Sequence, residues 1–143
     1  MSIKPQFADA ILNGTKTVEF RKRRLAPDVT TVLIYATMPI GQVVGAFEIA
    51  GYDVASPTRL WERHKDHAGI ARAPYRDYYR GTRQAVGLLV ADARRLTRPV
   101  YLRDLDVALR PPQSFCYLQL APWEPAASAA GRVRSELALA SRW

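Results

Sequence analysis

Gly14-Thr15-Lys16-Thr17-Val18-Glu19-Phe20-Arg21 sets a lysine, a glutamate and an arginine within six residues. The nine residues before it, Pro5 to Asn13, carry apolar Phe7, Ala8, Ile11 and Leu12. That i, i+1, i+4, i+5 spacing predicts a short amphipathic helix. Pro5 suits the first helical position, and Gly14 suits the left-handed position just past the end. From Thr17 to Arg21 polar and apolar residues alternate, as in a strand with Val18 and Phe20 on one side and Thr17, Glu19 and Arg21 on the other. Glu19 and Arg21 are then neighbours on one face, with Lys16 at the helix–strand corner. A carboxylate between two cations is held in place. It can accept hydrogen bonds from a ligand, order a lysine, or act as a base. The competing reading is a solvated strand face with an ordinary ion pair, which is worth little.

The rest of the chain sets the frame. A length of 143 residues with 48% hydrophobic and 24% charged content fits one globular α+β domain with a single core. No run of about 18 apolar residues marks a membrane span, and the N-terminus lacks the apolar stretch of a secretory signal. The one cysteine, Cys116, has no internal disulfide partner, so the expected location is cytoplasmic. Net charge is +8, from 21 Lys and Arg against 13 Asp and Glu. Residues 1–24 and 59–83 each carry +4 and residues 94–110 carry +3, whereas residues 25–58 hold acids and no cation. Such segregation favours a polyanionic partner. The alternative is compositional: 17 of the 21 cations are arginine and the tail is rich in alanine.

Further strands are expected at Thr31 to Thr37 and Gln42 to Ala50, joined as an antiparallel hairpin through Met38-Pro39-Ile40-Gly41. Gly45 marks a bulge or a close backbone approach. Ser56-Pro57 reads as a helix start with Leu60, Trp61 and His64 on one face, and Trp61 is read as core. A helix from Arg72-Ala73-Pro74 to Gly81 carries Tyr75, Tyr78 and Tyr79. Gln84 to Ala93 is a strand, Leu102-Arg103-Asp104 a helical turn, and Ser114 to Leu120 a closing strand. Residues 122–143 read as a separate alanine-rich tail, a weak helix or a disordered or loosely docked segment. Five or six strands with short flanking helices predict a small mixed β-barrel.

Other chemistry is sparse. His64 and His67 lack a second cluster, so no metal site is expected, and no cofactor motif is present. Cys116 reads as a core residue. Tyr75, Tyr78 and Tyr79 interleave with Arg72, Arg76, Arg80 and Arg83, which suits base stacking with phosphate contact, or a helix packed through its tyrosines. Pro111 and Pro112 stiffen the entry to Gln113, Ser114 and Tyr117. If a barrel closes there, these three join Lys16 and Glu19 around one cleft; otherwise they form a plain turn.

The stretch from Ser2-Ile3-Lys4-Pro5 through Lys22-Arg23-Arg24, with its G-x-K-x-x-E-x-R core, resembles the signature of the ASCH superfamily. These are small domains related to the PUA RNA-binding domain. The likeness covers roughly residues 1–121. Pro111 to Tyr117 and the region of Trp61, Tyr79 and Gly81 resemble a bacterial and archaeal subgroup of predicted regulators. The resemblance implies a PUA-like barrel with a cleft beside the G-x-K helix end, binding RNA or a modified nucleobase. Some members of the superfamily are enzymes. One group hydrolyses the amide of N4-acetylcytidine with the G-x-K lysine, a nearby threonine and a glutamate; another is a metal-dependent ribonuclease. Lys16 matches the lysine. Glu19 stands where the amidohydrolase motif K-x-x-T has threonine, with Thr15 and Thr17 at other spacings, and Glu48 and Glu62 are the candidates for the deacylase glutamate.

The expectation is therefore a binding domain for RNA or a modified nucleoside. Lys16, Glu19 and Arg21 contact the ligand, Gln113, Ser114 and Tyr117 line the pocket, and Lys22, Arg23, Arg24 and Arg76 meet phosphate. The alternative is a small hydrolase of N4-acylated cytidine or a ribonuclease, with Lys16 and Glu19 as catalytic residues.

Overall fold

Helix α1, Pro5–Leu12, feeds the first long-range strand through a left-handed corner. The computed structural model describes residues 1–119 and 127–140. Pro5 opens the helix, and Gly14 takes φ +86° after it, as its lack of a Cβ permits. The Lys16 amide then donates to Ala10 O at 2.9 Å, turning the chain into β2, Val18–Arg21.

The sheet has five strands in the order β1-β3-β4-β5-β2. The short β1, Ser2–Ile3, lies parallel to β3, Thr31–Ala36. The other pairings are antiparallel: β3 with β4, Gln42–Ala55; β4 with β5, Ala85–Val100; and β5 with β2. Both β4 and β5 outrun the expected strands. Register shifts at Val43/Gly45, Ala46/Glu48 and Ile49/Gly51 bend the pair, as bulges do. At Gly45 a Cβ would lie 2.5 Å from Arg94 O and 2.6 Å from Leu12 Cδ2, so the close approach expected there is real.

Helix α2, Pro57–His64, starts as expected, with Ser56 Oγ accepting from Arg59 N at 3.3 Å. A 3-10 turn at Lys65–His67 leads to α3, Arg72–Tyr78, which ends three residues short of Gly81. The helical turn α4 spans Leu102–Leu105. In the tail, α5, Ala129–Ala140, is docked: Val133 and Leu137 pack with Tyr35, Val43, Leu96 and Val100. Glu136 accepts from Thr97 N at 2.9 Å and from Thr97 Oγ1 at 2.6 Å.

Two apolar layers flank the β2–β5 part of the sheet. Val86 and Leu88 belong to the main core with Ile3, Ile11, Ile34 and Phe47. Val18 and Phe20 pack outward against Leu60, Tyr75 and Tyr79. Trp61 is half-buried at the edge of that second layer, not in a core.

The α+β, PUA-like arrangement is present, but the sheet does not close into a barrel. No strand forms at Ser114 to Gln119, and Leu120 lies outside the described residues. Pro111 and Pro112 have no N–H to give a ladder. The segment instead borders β1 through Ser2 N to Ser114 O at 2.9 Å and Ser2 Oγ to Pro112 O at 2.6 Å. The edges β1 and β2 are left with a seam between them.

Candidate functional site

The seam is bridged by a side chain. Arg21 Nη2 reaches from β2 to Ser2 O on β1 at 3.0 Å, and Nη1 reaches Ser114 Oγ at 3.1 Å. The same Nη2 is 3.0 Å from Glu19 Oε1, whose other oxygen is 3.7 Å from Lys16 Nζ. The alternation of β2 is as expected, yet its polar side is the inward one. Glu19 lies opposite Leu88, and Arg21 opposite Val86, both residues of the main core. Hence Lys16, Glu19 and Arg21 are only 2%, 7% and 9% exposed. The solvated-face reading is excluded.

Lys16 is the most enclosed of the three. Its ammonium donates to Ala68 O at 2.5 Å and sits 5.4 Å and 4.9 Å from the ring centroids of Phe7 and Phe20. Burial pushes the Lys16 amine below its ordinary range, while the Glu19 charge and hydrogen bond pull it back up. Arg21 Nε is buried without a partner among the described residues. The cluster thus combines a depressed amine, a carboxylate that orders it, and a guanidinium with one spare donor.

Of the other candidates, Ser114 joins the cluster through Arg21. Gln113 beside it is exposed. Tyr117 lies apart: its Oη accepts from Ala26 N at 2.9 Å, and the residue lines a pocket of about 540 Å3 with Leu25, Val29 and Phe115. Cys116 is exposed, not core, because the segment is not a strand. Glu48 accepts from Thr31 Oγ1 at 2.7 Å, and Glu62 is exposed and paired with Lys65 and Arg72. Sequence reading missed Phe7, Ser2, Ala68 and Gly69. Two of these act through backbone carbonyls, which carry no side-chain signature.

The donors do not suit a divalent ion. Among the described residues no three His, Cys, Asp or Glu side chains converge, and the cluster's one carboxylate already faces two cations.

Two basic segments meet beside the cluster. Tyr79 Oη donates to Arg21 O at 2.8 Å, which ties the end of α3 to the end of β2. Lys22 Nζ lies 5.1 Å over the Tyr78 ring, and Arg24 lies 5.5 Å from the Tyr52 ring. Lys22, Arg23, Arg24, Arg76, Arg80 and Arg83 are all exposed there. Tyr75 and Tyr79 are buried, while Tyr78 stays 38% exposed, so the tyrosine-rich helix serves both packing and surface.

A bent, open five-stranded sheet with a buried Lys-Glu-Arg cluster at its seam defines a PUA-like domain. The ASCH domain profile matches residues 1–99, and the chain belongs to that family. It is 35% identical over 123 residues to the ASCH domain-containing ribonuclease of Zymomonas mobilis subsp. mobilis, a match covering 83% of this chain and 82% of that protein. The crystal structure of ASCH from Zymomonas mobilis superposes with a TM-score of 0.77 at 35% identity, over 83% of this chain and 85% of that one. A serine-to-alanine mutant of the Zymomonas mobilis protein superposes with a TM-score of 0.79 at 30% identity, over 97% of this chain and 93% of that one.

Proposed function

We propose that this chain is an RNA-binding domain whose contact surface is the basic face around Lys22–Arg24 and α3, beside the Lys16–Glu19–Arg21 cluster. The observation that carries the proposal is the joining of two separate basic segments at the Tyr79–Arg21 hydrogen bond. Arg23 and Arg76 would take phosphates, and the Tyr78 ring would take a base by stacking. Lys16, Glu19, Arg21 and Ser114 form the polar end of the site. Lys16 and Arg21 would donate to a base carbonyl or phosphate, Glu19 would accept from a base amino group, and Gln113 and Tyr117 would act from the flanks. A modified base, bound as a nucleoside or within RNA, is met by the same groups. The binding unit is residues 1–121, in the cytoplasm. No helix among the described residues is long and apolar enough to cross a membrane.

Ribonuclease activity is the second reading, favoured by the name of the Zymomonas mobilis relative. A depressed lysine amine held by a carboxylate can take a proton or stabilise charge on a phosphoryl oxygen. One experiment separates the readings. A labelled RNA oligonucleotide and free N4-acetylcytidine are incubated with the protein and with Lys16→Ala. Salt-sensitive retention of intact RNA supports the binding domain. Lys16-dependent RNA fragments support the nuclease, and Lys16-dependent cytidine would support the amidohydrolase instead. The absence of all three signals would overturn the proposal.

A further inference from the structure

The Lys16 amine is covered by one short piece of backbone. Ala68 O accepts its hydrogen bond, and His67 O accepts from Thr17 N at 3.1 Å. Gly69, at φ +63°, lies so close that a Cβ there would be 2.8 Å from each of Lys16 Cβ, Cγ and Cδ. On its outer side the segment is exposed at Lys65, Asp66 and His67. One exposed carboxylate spans it: Glu62 is 3.0 Å from Lys65 Nζ and 3.7 Å from Arg72 Nη1, two residues past its end. Inside, Ala68 is fully buried and Ile70 packs at the edge of the second apolar layer.

In this arrangement Lys16 is almost wholly buried. Glu19, Ala68 O and two aromatic rings surround it. We propose that the Lys65–Ile70 segment is a gate over the Lys16 site, with the Ala68 carbonyl holding the position that a hydrogen-bond acceptor of the RNA takes when the gate lifts. This inference rests on the RNA-binding reading for its ligand, though not for its mechanics. Besides Ala68, Ile70 and two carbonyl acceptors, only the exposed Glu62 ion pairs hold the gate among the described residues, and such pairs are worth little; a segment so held opens at lower free energy than paired strands. Only glycine combines the left-handed φ with the missing Cβ that lets the gate lie flat on the lysine stem. Ala68 O also differs in kind from a phosphate. It is a neutral carbonyl oxygen, and so the displaced acceptor corresponds to a base carbonyl more closely than to a charged phosphate.

The test is amine labelling of the full chain with acetic anhydride, read residue by residue by mass spectrometry. Lys4 serves as the internal standard, because Lys65 belongs to the segment itself and Lys22 lies on the RNA face. Gly69→Ala, which pushes the segment off the lysine, should label at Lys16 at least ten times faster than the unmodified protein, with Lys4 unchanged. A short unpaired RNA oligonucleotide should change the Lys16 rate in the unmodified protein. If RNA is retained but leaves Lys16 labelling untouched, the gate is wrong and the RNA reading stands. If no RNA is retained, the RNA reading fails and the Gly69→Ala rate still judges the gate. Should Gly69→Ala not fold, hydrogen exchange of the Thr17 amide decides. Exchange at least ten times faster than at the β2–β5 amides supports a gate, whereas exchange only with global unfolding overturns it.

Discussion

Replacing Glu19 with glutamine removes the one negative charge between two buried cations and keeps the side-chain shape. Breaking a buried pair by neutralising one partner costs about 3–5 kcal/mol, because the remaining charges stay buried. Here the lower end applies. Arg21 keeps Ser2 O and Ser114 Oγ, Lys16 keeps Ala68 O, and glutamine still offers one carbonyl oxygen. We expect Glu19→Gln to lose about 3 kcal/mol at pH 7, or roughly 10 °C in Tm for a domain of this size. The pH dependence carries a second signature. Burial already lowers the Lys16 amine from its ordinary 10.5, and Glu19 is what pulls it back up. Without Glu19 the amine falls further. The folded variant then binds fewer protons than the unfolded chain from that lowered pKa up to 10.5, so its stability rises with pH across the window. The deficit against the unmodified protein should therefore be largest near neutrality and shrink toward pH 10. Adding Lys16→Met to Glu19→Gln should recover part of the loss, since one uncompensated charge leaves. Urea unfolding followed by circular dichroism at pH 7, 8.5 and 10 measures all three effects. A loss below about 0.5 kcal/mol at pH 7, or a deficit that grows with pH, would refute the buried charge cluster, since surface substitutions fall within that range.

Three further outcomes are expected. Arg23→Ala and Arg76→Ala should each reduce the slope of log K against log salt by about 0.7–0.9 in RNA filter binding, while thermal stability is unchanged; unaltered slopes would move the RNA face elsewhere. Glu136→Ala removes both acceptors for Thr97 and should destabilise by about 0.5–1.5 kcal/mol, with trypsin cutting α5 earlier than the sheet. Equal cleavage rates in the variant and the parent would mean that α5 is held by its apolar face alone. Gly45→Ala forces a methyl onto Arg94 O and Leu12 and should cost about 1–3 kcal/mol in urea unfolding. Unchanged stability would mean that the β4 bulge relaxes freely.

Much of the local structure was legible in the residues alone. Pro5, the apolar spacing of α1 and the Gly14 corner depend on short-range sterics and periodicity, and they landed where expected. The β3–β4 hairpin and the capped start of α2 did so for the same reason. The β2 alternation was legible too, which put Glu19 and Arg21 on one face. Which face meets the core could not be read, because that depends on what β5 and β1 bring to it. Nor could the failure of the barrel to close: Pro111 and Pro112 deny a ladder, but only the position of β1 reveals the seam that Arg21 spans. The tail carried a weak helix signal, and its docking through Glu136 and Val133 lies in contacts some forty residues distant. The cluster's chemistry was likewise divided. Sequence supplied Lys16, Glu19 and Arg21, since charged residues at fixed spacing declare themselves. Tertiary structure alone placed the Ala68 carbonyl on the lysine and joined Lys22–Arg24 to α3, because backbone groups and long-range neighbours leave no periodic trace in the chain.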